Sequence, residues 1–219
     1  MYCVRFNAKP TFSACRAVVR LLHYVKATLD YGIQYSGHRL SPEGYADSDW
    51  GGDVDTGRST TGYVLRLVNG PISWVSRLQS TVASSVGEAE YMSGYDLVQA
   101  VTWTEGVCQE LGIYLLKNGP IQCFMDNKSA IALANNPVFH KRTKHIRIKY
   151  HWLRQKVAEG LVTLVYVQSE QNIADIFTKG LAHPRFIKLV YRVRGVYDVY
   201  AMTDCDSVAA LWDCVYDSD

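Results

Sequence analysis

From residue 44 onward the chain changes hydrophobic period in a set order, and that order narrows the possible folds more than any single motif. Three strand-like runs come first, at 44–49, at 60–68 ("TTGYVLRLV") and at 72–80 ("ISWVSRLQS"), with "VNGP" as the turn between the last two. A long helical period follows over 88–111, carrying Leu97, Val101, Thr104, Cys108 and Leu111 on one stripe and stopped by Gly112. Strand and helix then alternate. "IQCFMD" (121–126) reads as a buried strand, and Asn127 caps a helix that Pro137 closes. A basic helix with the apolar stripe Ile146, Tyr150, Leu153 and Val157 stops at Gly160. "LVTLVYVQ" (161–168) is a fifth strand, and "IADIFTKGLAHPRFIKL" begins a last helix that Pro184 interrupts. Strands joined by tight turns pair antiparallel, whereas strands joined through helices can run parallel. The expected fold is therefore α/β (mixed): a five-stranded mixed sheet with helices on its faces.

Upstream, apolar residues at Ala14, Val18, Leu21, Val25 and Leu29 fall at helical spacing until "DYG" ends the pattern. Three regions are expected: a helical segment at 1–39, the α/β domain at 40–195, and a tail at 196–219 with six Asp and no Lys or Arg. Hydrophobic residues at 48% against 20% charged place the chain in the globular class. No apolar stretch is long enough to cross a bilayer, and "MYCVRFNAKP" has no secretory h-region. The expectation is an intracellular protein, cytoplasmic or nuclear, with no membrane partner. The six cysteines form no C-x-x-C pair, which argues against a disulfide framework or a Cys-rich zinc site.

Four acids are spread along this pattern, each at or near the end of an element: Asp47 in "GYADSDW", Glu90 in "GEAEY", Asp126 in "MDN" and Asp175 in "IAD". If the strands pair in this way, the ends carrying Asp47 and Asp126 can be adjacent. Four carboxylates crowded together repel one another and are stable only with a cation among them. An all-oxygen donor set selects Mg2+, with Mn2+ as a substitute. Two such ions, typically ~3.5–4 Å apart, support in-line cleavage of a phosphodiester.

A resemblance is carried by five blocks in order: "GYADSDW", "RSTTGYV", "GPISWVSRLQSTVASSVGEAEY", "DNKSAIALANNPVFHKRTKHIRIKYHWLR" and "NIADIFTKGL". Over roughly residues 40–190 the chain resembles the ribonuclease H domain of copia-type retrotransposon Pol polyproteins. Residues 4–32 are similar to the segment that joins the reverse transcriptase to it. The resemblance implies a ribonuclease H-like fold, with Asp47, Glu90, Asp126 and Asp175 as catalytic ligands of two Mg2+ ions. It implies cleavage of the RNA strand of RNA–DNA hybrids, with a polymerase domain in the parent polyprotein and a virus-like particle as one setting.

The helix acid is ambiguous between Glu88 and Glu90. The family helix usually reads Glu, bulky apolar, any residue, small, which "EYMSG" fits from Glu90, while Glu88 sits in the first turn, where an acid favours the helix dipole. Asp49 shares the strand face of Asp47, so Asp49 and Glu88 are candidates for supporting acids rather than ligands. The run 140–156 holds seven Lys/Arg and no acid, and Lys144, Arg147, His151 and Arg154 share one face suited to phosphates. Asn127 either contacts the RNA strand or caps its helix.

Departures from the family pattern favour an alternative, a catalytically decayed remnant that at most binds nucleic acid. Ala14 and Cys15 stand where His and Trp are usual, and Ala27 where Gly is usual. Gly87 replaces a usual Ser or Thr, which weakens an N-cap. An integrase-type core, with its Asp, Asp, Glu order, ranks lower. Glu159 follows Asp126 but lies at the tail of the basic helix, and Glu90 and Asp175 would be left idle.

Overall fold

The computed structural model describes residues 8–37, 40–135 and 147–196, without the side chains of 147–150. The chain divides into two units. Of the first, the described part is α1 (Phe12–Ala27), whose N-cap Thr11 accepts a hydrogen bond from the Ala14 N–H at 3.2 Å. Only Ala14 of this helix is buried, and Val18, Leu21 and Val25 of the anticipated stripe stay substantially exposed.

The second unit, Ile33–Val196, holds the sheet. Its elements are β1 (Glu43–Asp49), β2 (Thr60–Leu67), β3 (Gly70–Leu78), α2 (Val86–Glu110), β4 (Ile121–Met125), α3 (Lys128–Asn135), α4 (Arg147–Ala158), β5 (Val162–Tyr166) and α5 (His183–Arg194). The sheet order is β3-β2-β1-β4-β5. The β1–β2 and β2–β3 pairs are antiparallel, and β1–β4 and β4–β5 are parallel. This is the mixed sheet expected from the turn-linked and helix-linked strands. The β2–β3 turn closes on Val68 and Asn69, both at positive φ (53° and 64°), the geometry that matches strand twist in a two-residue hairpin.

Strand alternation sends neighbouring side chains to opposite faces. Ala46, Tyr63, Leu65, Cys123 and Met125 pack with Tyr91, Leu97, Val98, Val101 and Leu153 of α2 and α4 in the larger core. Tyr45 and Val64 point the other way, where Ile173, Ala174 and Leu189 cover them, and Tyr45 stacks on Phe124 at 4.8 Å between ring centroids. Two strand glycines permit close approach. A Cβ on Gly44 would lie 2.6 Å from Leu97 Cδ1, and one on Gly62 would lie 2.6 Å from Thr178 Cγ2.

Two expectations are corrected. The N-cap of α2 is not weakened by Gly87, because Ser85 takes the role two residues earlier and its hydroxyl accepts from the Glu88 N–H at 3.2 Å. Pro184 interrupts no helix. Residues Ile173–Phe177 form a separate 3-10 turn, and α5 begins afresh with Pro184 in its first turn, where a missing N–H costs nothing.

Candidate metal centre

The parallel β1–β4 pairing places Tyr45 beside Phe124, and two residues further along each strand the chain reaches Asp47 and Asp126. Both acids thus sit at the carboxyl edge of the sheet. Asp47 shares the face of Tyr45, toward the 3-10 turn, while Ser48 points to the opposite face, toward α2. There the Ser48 backbone N–H and hydroxyl both donate to Glu90 Oε1, at 3.1 and 3.0 Å. The ligand oxygens of Asp47, Glu90 and Asp126 all lie within 4.8 Å of one another. Asp47 is fully buried and Glu90 is 3% exposed. Ser169 orients Asp126 by donating to its Oδ2 at 2.6 Å.

Asp175 is brought next to Asp47 but is not one of the three converging oxygens. Asn172, fully buried, donates from its side chain to the Ala46 carbonyl at 2.9 Å and caps the 3-10 turn by accepting from the Ala174 N–H. That double attachment pins the turn to β1. Lys179, which ends the segment, lies 3.1 Å from Asp47 Oδ1 and 2.8 Å from Asp175 Oδ1. Arg185 pairs with Asp175 Oδ2, and the Thr178 hydroxyl donates to Asp47 Oδ2.

The electrostatics follow from burial. Loss of water pushes the Asp47 carboxyl up to about 7, against the opposing pull of Lys179 and the Thr178 hydrogen bond. Burial, then the charges of Asp47 and Asp126, push Glu90 up to about 9, beyond what the Ser48 hydrogen bonds restore. Burial by itself would depress Lys179, but the Asp47 charge and the bond to Asp175 hold its ammonium above the ordinary range.

A divalent cation fits the three-acid cluster. The donors are all carboxylate oxygens, and among the described residues the buried Glu90 Oε2 has no hydrogen-bond partner.

The supporting residues separate. Glu88 turns away, its Oε2 accepting from the Ser84 N–H at 2.8 Å and from the Ser84 hydroxyl, a reciprocal arrangement akin to a capping box. Asp49 accepts from the Thr60 N–H across the end of β1, and its carboxyl is raised by burial with that bond opposing. Asn127 Oδ1 accepts from the Ala130 N–H at 3.0 Å, the expected cap of α3. His151 is exposed, and Arg154 Nε donates to the Leu133 carbonyl at 2.9 Å, tying α4 to α3. Arg147 starts α4, and Lys144 lies outside the described residues. Lys179, Ser48, Asn172 and Arg185 were not anticipated. The spacing of Asp175 and Lys179, four residues apart on one turn, is the only trace of this arrangement in the sequence.

Fold and site together define an α/β domain with a cluster of three carboxylates, two of them buried, at the carboxyl edge of a mixed sheet. No protein-family model matches the chain. It is 40% identical over 183 residues to the retrovirus-related Pol polyprotein from transposon RE1 of Arabidopsis thaliana, covering 83% of this chain and 12% of that protein. It is 35% identical over 182 residues to the corresponding polyprotein from transposon TNT 1-94 of Nicotiana tabacum, covering 83% and 14%. Among solved structures, the compost-derived LC11-RNase H1 aligns with a TM-score of 0.47 at 14% identity, over 64% of this chain and 94% of that one. Over more than 80% of its length the chain is homologous to the retrovirus-related Pol polyproteins of copia-type transposons, of whose own length it spans only 12–14%.

Proposed function

We propose that the domain is a ribonuclease H-type endonuclease that cleaves the RNA strand of RNA–DNA hybrids during retrotransposon reverse transcription. The observation that carries this reading is the convergence of Asp47, Glu90 and Asp126 around the buried, unpartnered Glu90 Oε2. Such a site is costly to keep unless a cation uses it, which favours an enzyme over a decayed remnant. Asp47, Glu90 and Asp126 would hold the ion, Mg2+ or Mn2+, and Asp175 belongs to the same set through Asp47. When bound, the ion stabilises charge developing on the phosphoryl oxygens. The sequence-based reading has two ions in this set.

The chain's own residues supply the rest. Ser48 fixes Glu90, Ser169 fixes Asp126, and Thr178 and Lys179 fix Asp47, so the carboxylates are held before substrate arrives. In the basic run, Lys144, Arg147, His151 and Arg154 would supply phosphate contacts, which are independent of base sequence. Arg154 spends one N–H on Leu133 and has four more in its guanidinium fork. RNA selectivity comes from 2′-hydroxyls in the wide minor groove. The parent polyprotein's polymerase would deliver the hybrid.

The test is a substrate panel in Mg2+: an RNA–DNA hybrid, duplex RNA, single-stranded RNA and duplex DNA, each labelled. Cleavage confined to the RNA of the hybrid is expected. Equal cleavage of duplex RNA would overturn the substrate assignment.

A further inference from the structure

Lys179 Nζ lies between the Asp47 and Asp175 carboxylates, 3.1 Å from one and 2.8 Å from the other. Every oxygen of the two acids has a protein donor, which leaves each a further lone pair, and it is through such a lone pair that Asp47 joins Glu90 and Asp126. Asp47 gives Oδ1 to Lys179 and Oδ2 to Thr178, and Asp175 gives Oδ1 to Lys179 and Oδ2 to Arg185. Glu90 Oε2 has no donor among the described residues. The two halves of the acidic set therefore differ: one is already neutralised by protein cations, and the other is not.

The protein's cations are placed unevenly: Lys179 and Arg185 pair with Asp47 and Asp175, and Lys179 also acts on Asp49, whereas among the described residues no ion pair reaches Glu90 or Asp126. A second ion ligated by Asp47 and Asp175 at about 2.1 Å would need the space the ammonium fills.

Lys179 is also anchored. Its backbone N–H donates to the Asp175 carbonyl at 3.0 Å, and the preceding Thr178 N–H does so at 3.1 Å, so the ammonium is delivered from a closed turn that Asn172 pins to β1. Displacing it would break two charge-assisted hydrogen bonds.

We propose that Lys179 is a resident cation standing in the second ion's place, so that this chain binds a single divalent ion at Asp47, Glu90 and Asp126. The inference rests on the metal-site reading above and refines its stoichiometry. The ammonium supplies charge and fixed donors beside Asp47, and of its three N–H bonds two are engaged, leaving one for a phosphate oxygen.

The experiment counts Mn2+ bound per chain by equilibrium dialysis with electron paramagnetic resonance, without substrate. The expected result is one Mn2+ on the wild type, two on Lys179→Met and one on Lys179→Arg, which keeps the charge. Asp126→Asn should lose the wild-type ion. Circular dichroism checks each variant's fold, and Lys179→Gln is a second charge-removing variant should the Met form misfold. Two ions on the wild type, or no second ion on a folded Lys179→Met or Lys179→Gln, overturns the lysine assignment and leaves the three-acid site standing. No ion on the wild type, or one that Asp126→Asn retains, overturns the site and the lysine assignment together.

Discussion

Replacing Glu90 with Gln should make the metal-free protein more stable while removing its activity. Glu90 is 3% exposed, faces Asp47 and Asp126, and leaves Oε2 unpartnered. Its carboxyl is raised from 4.5 to about 9, with burial the largest cause. At pH 7.5 the unfolded chain ionises this group and the folded chain does not. The difference spans roughly three pH units at about 1.4 kcal/mol each, an upper bound of about 4 kcal/mol. Asp47 shares the proton burden, so we expect about 2 kcal/mol for Glu90→Gln, or a rise in Tm of roughly 4–8 °C for a domain of this size. The sign follows from the raised pKa. Wild-type stability is fully present below about pH 4.5 and is lost as the pH climbs toward 9, so the advantage of Gln should shrink below about 1 kcal/mol at pH 5. Gln keeps an oxygen for the Ser48 donors, which guards against trivial damage. The assay is thermal unfolding in EDTA at pH 5.0 and 7.5, repeated with Mg2+. Mg2+ should raise the wild-type Tm and leave the variant unmoved. A variant less stable than wild type at pH 7.5, or equally favoured at both pH values, would refute the reasoning.

Other perturbations follow from the packing around the site and the hairpin. Gly62→Ala puts a Cβ 2.6 Å from Thr178 Cγ2 and 3.1 Å from the Ala174 carbonyl, so the 3-10 turn must move away from Asp47. We expect a loss of about 1–3 kcal/mol by chemical denaturation, with weaker Mn2+ binding. Val68→Asn should stabilise the β2–β3 hairpin by about 1 kcal/mol, since Val at φ 53° is strained and Asn tolerates that region. Its denaturation midpoint should rise with cleavage unchanged. Hybrid affinity should fall steeply with salt, and Arg154→Ala should flatten that dependence by about one unit of log–log slope.

Much of this was readable from residue order. The turn "VNGP", the long helical stripe and the short apolar runs give the succession of elements and a mixed sheet in which the ends carrying Asp47 and Asp126 can be adjacent, but the spatial order of the strands is seen only in the structure. The pattern of "EYMSG" already prefers Glu90 to Glu88, and the hydrogen bonds are consistent with it: Glu88 accepts from Ser84, while Glu90 faces Asp47 and Asp126. Pro184 was misread because proline suits a helix start as well as a break, and only the chain path decides. Lys179, Ser48 and Asn172 escaped notice for a common reason. Each acts across a long sequence separation, such as that between Lys179 and Asp47, and no local period marks a side chain that reaches another element.

The central claim is that Asp47, Glu90 and Asp126 hold a divalent ion that serves RNA cleavage. The most direct measurement incubates wild type and Asp126→Asn with a labelled RNA–DNA hybrid in Mg2+ and follows the RNA strand. Wild type should cut, and the variant should be slower by at least ~100-fold while keeping its fold by circular dichroism. Cutting by the variant at the wild-type rate, or hybrid binding by the wild type with no cleavage in either Mg2+ or Mn2+, would contradict it.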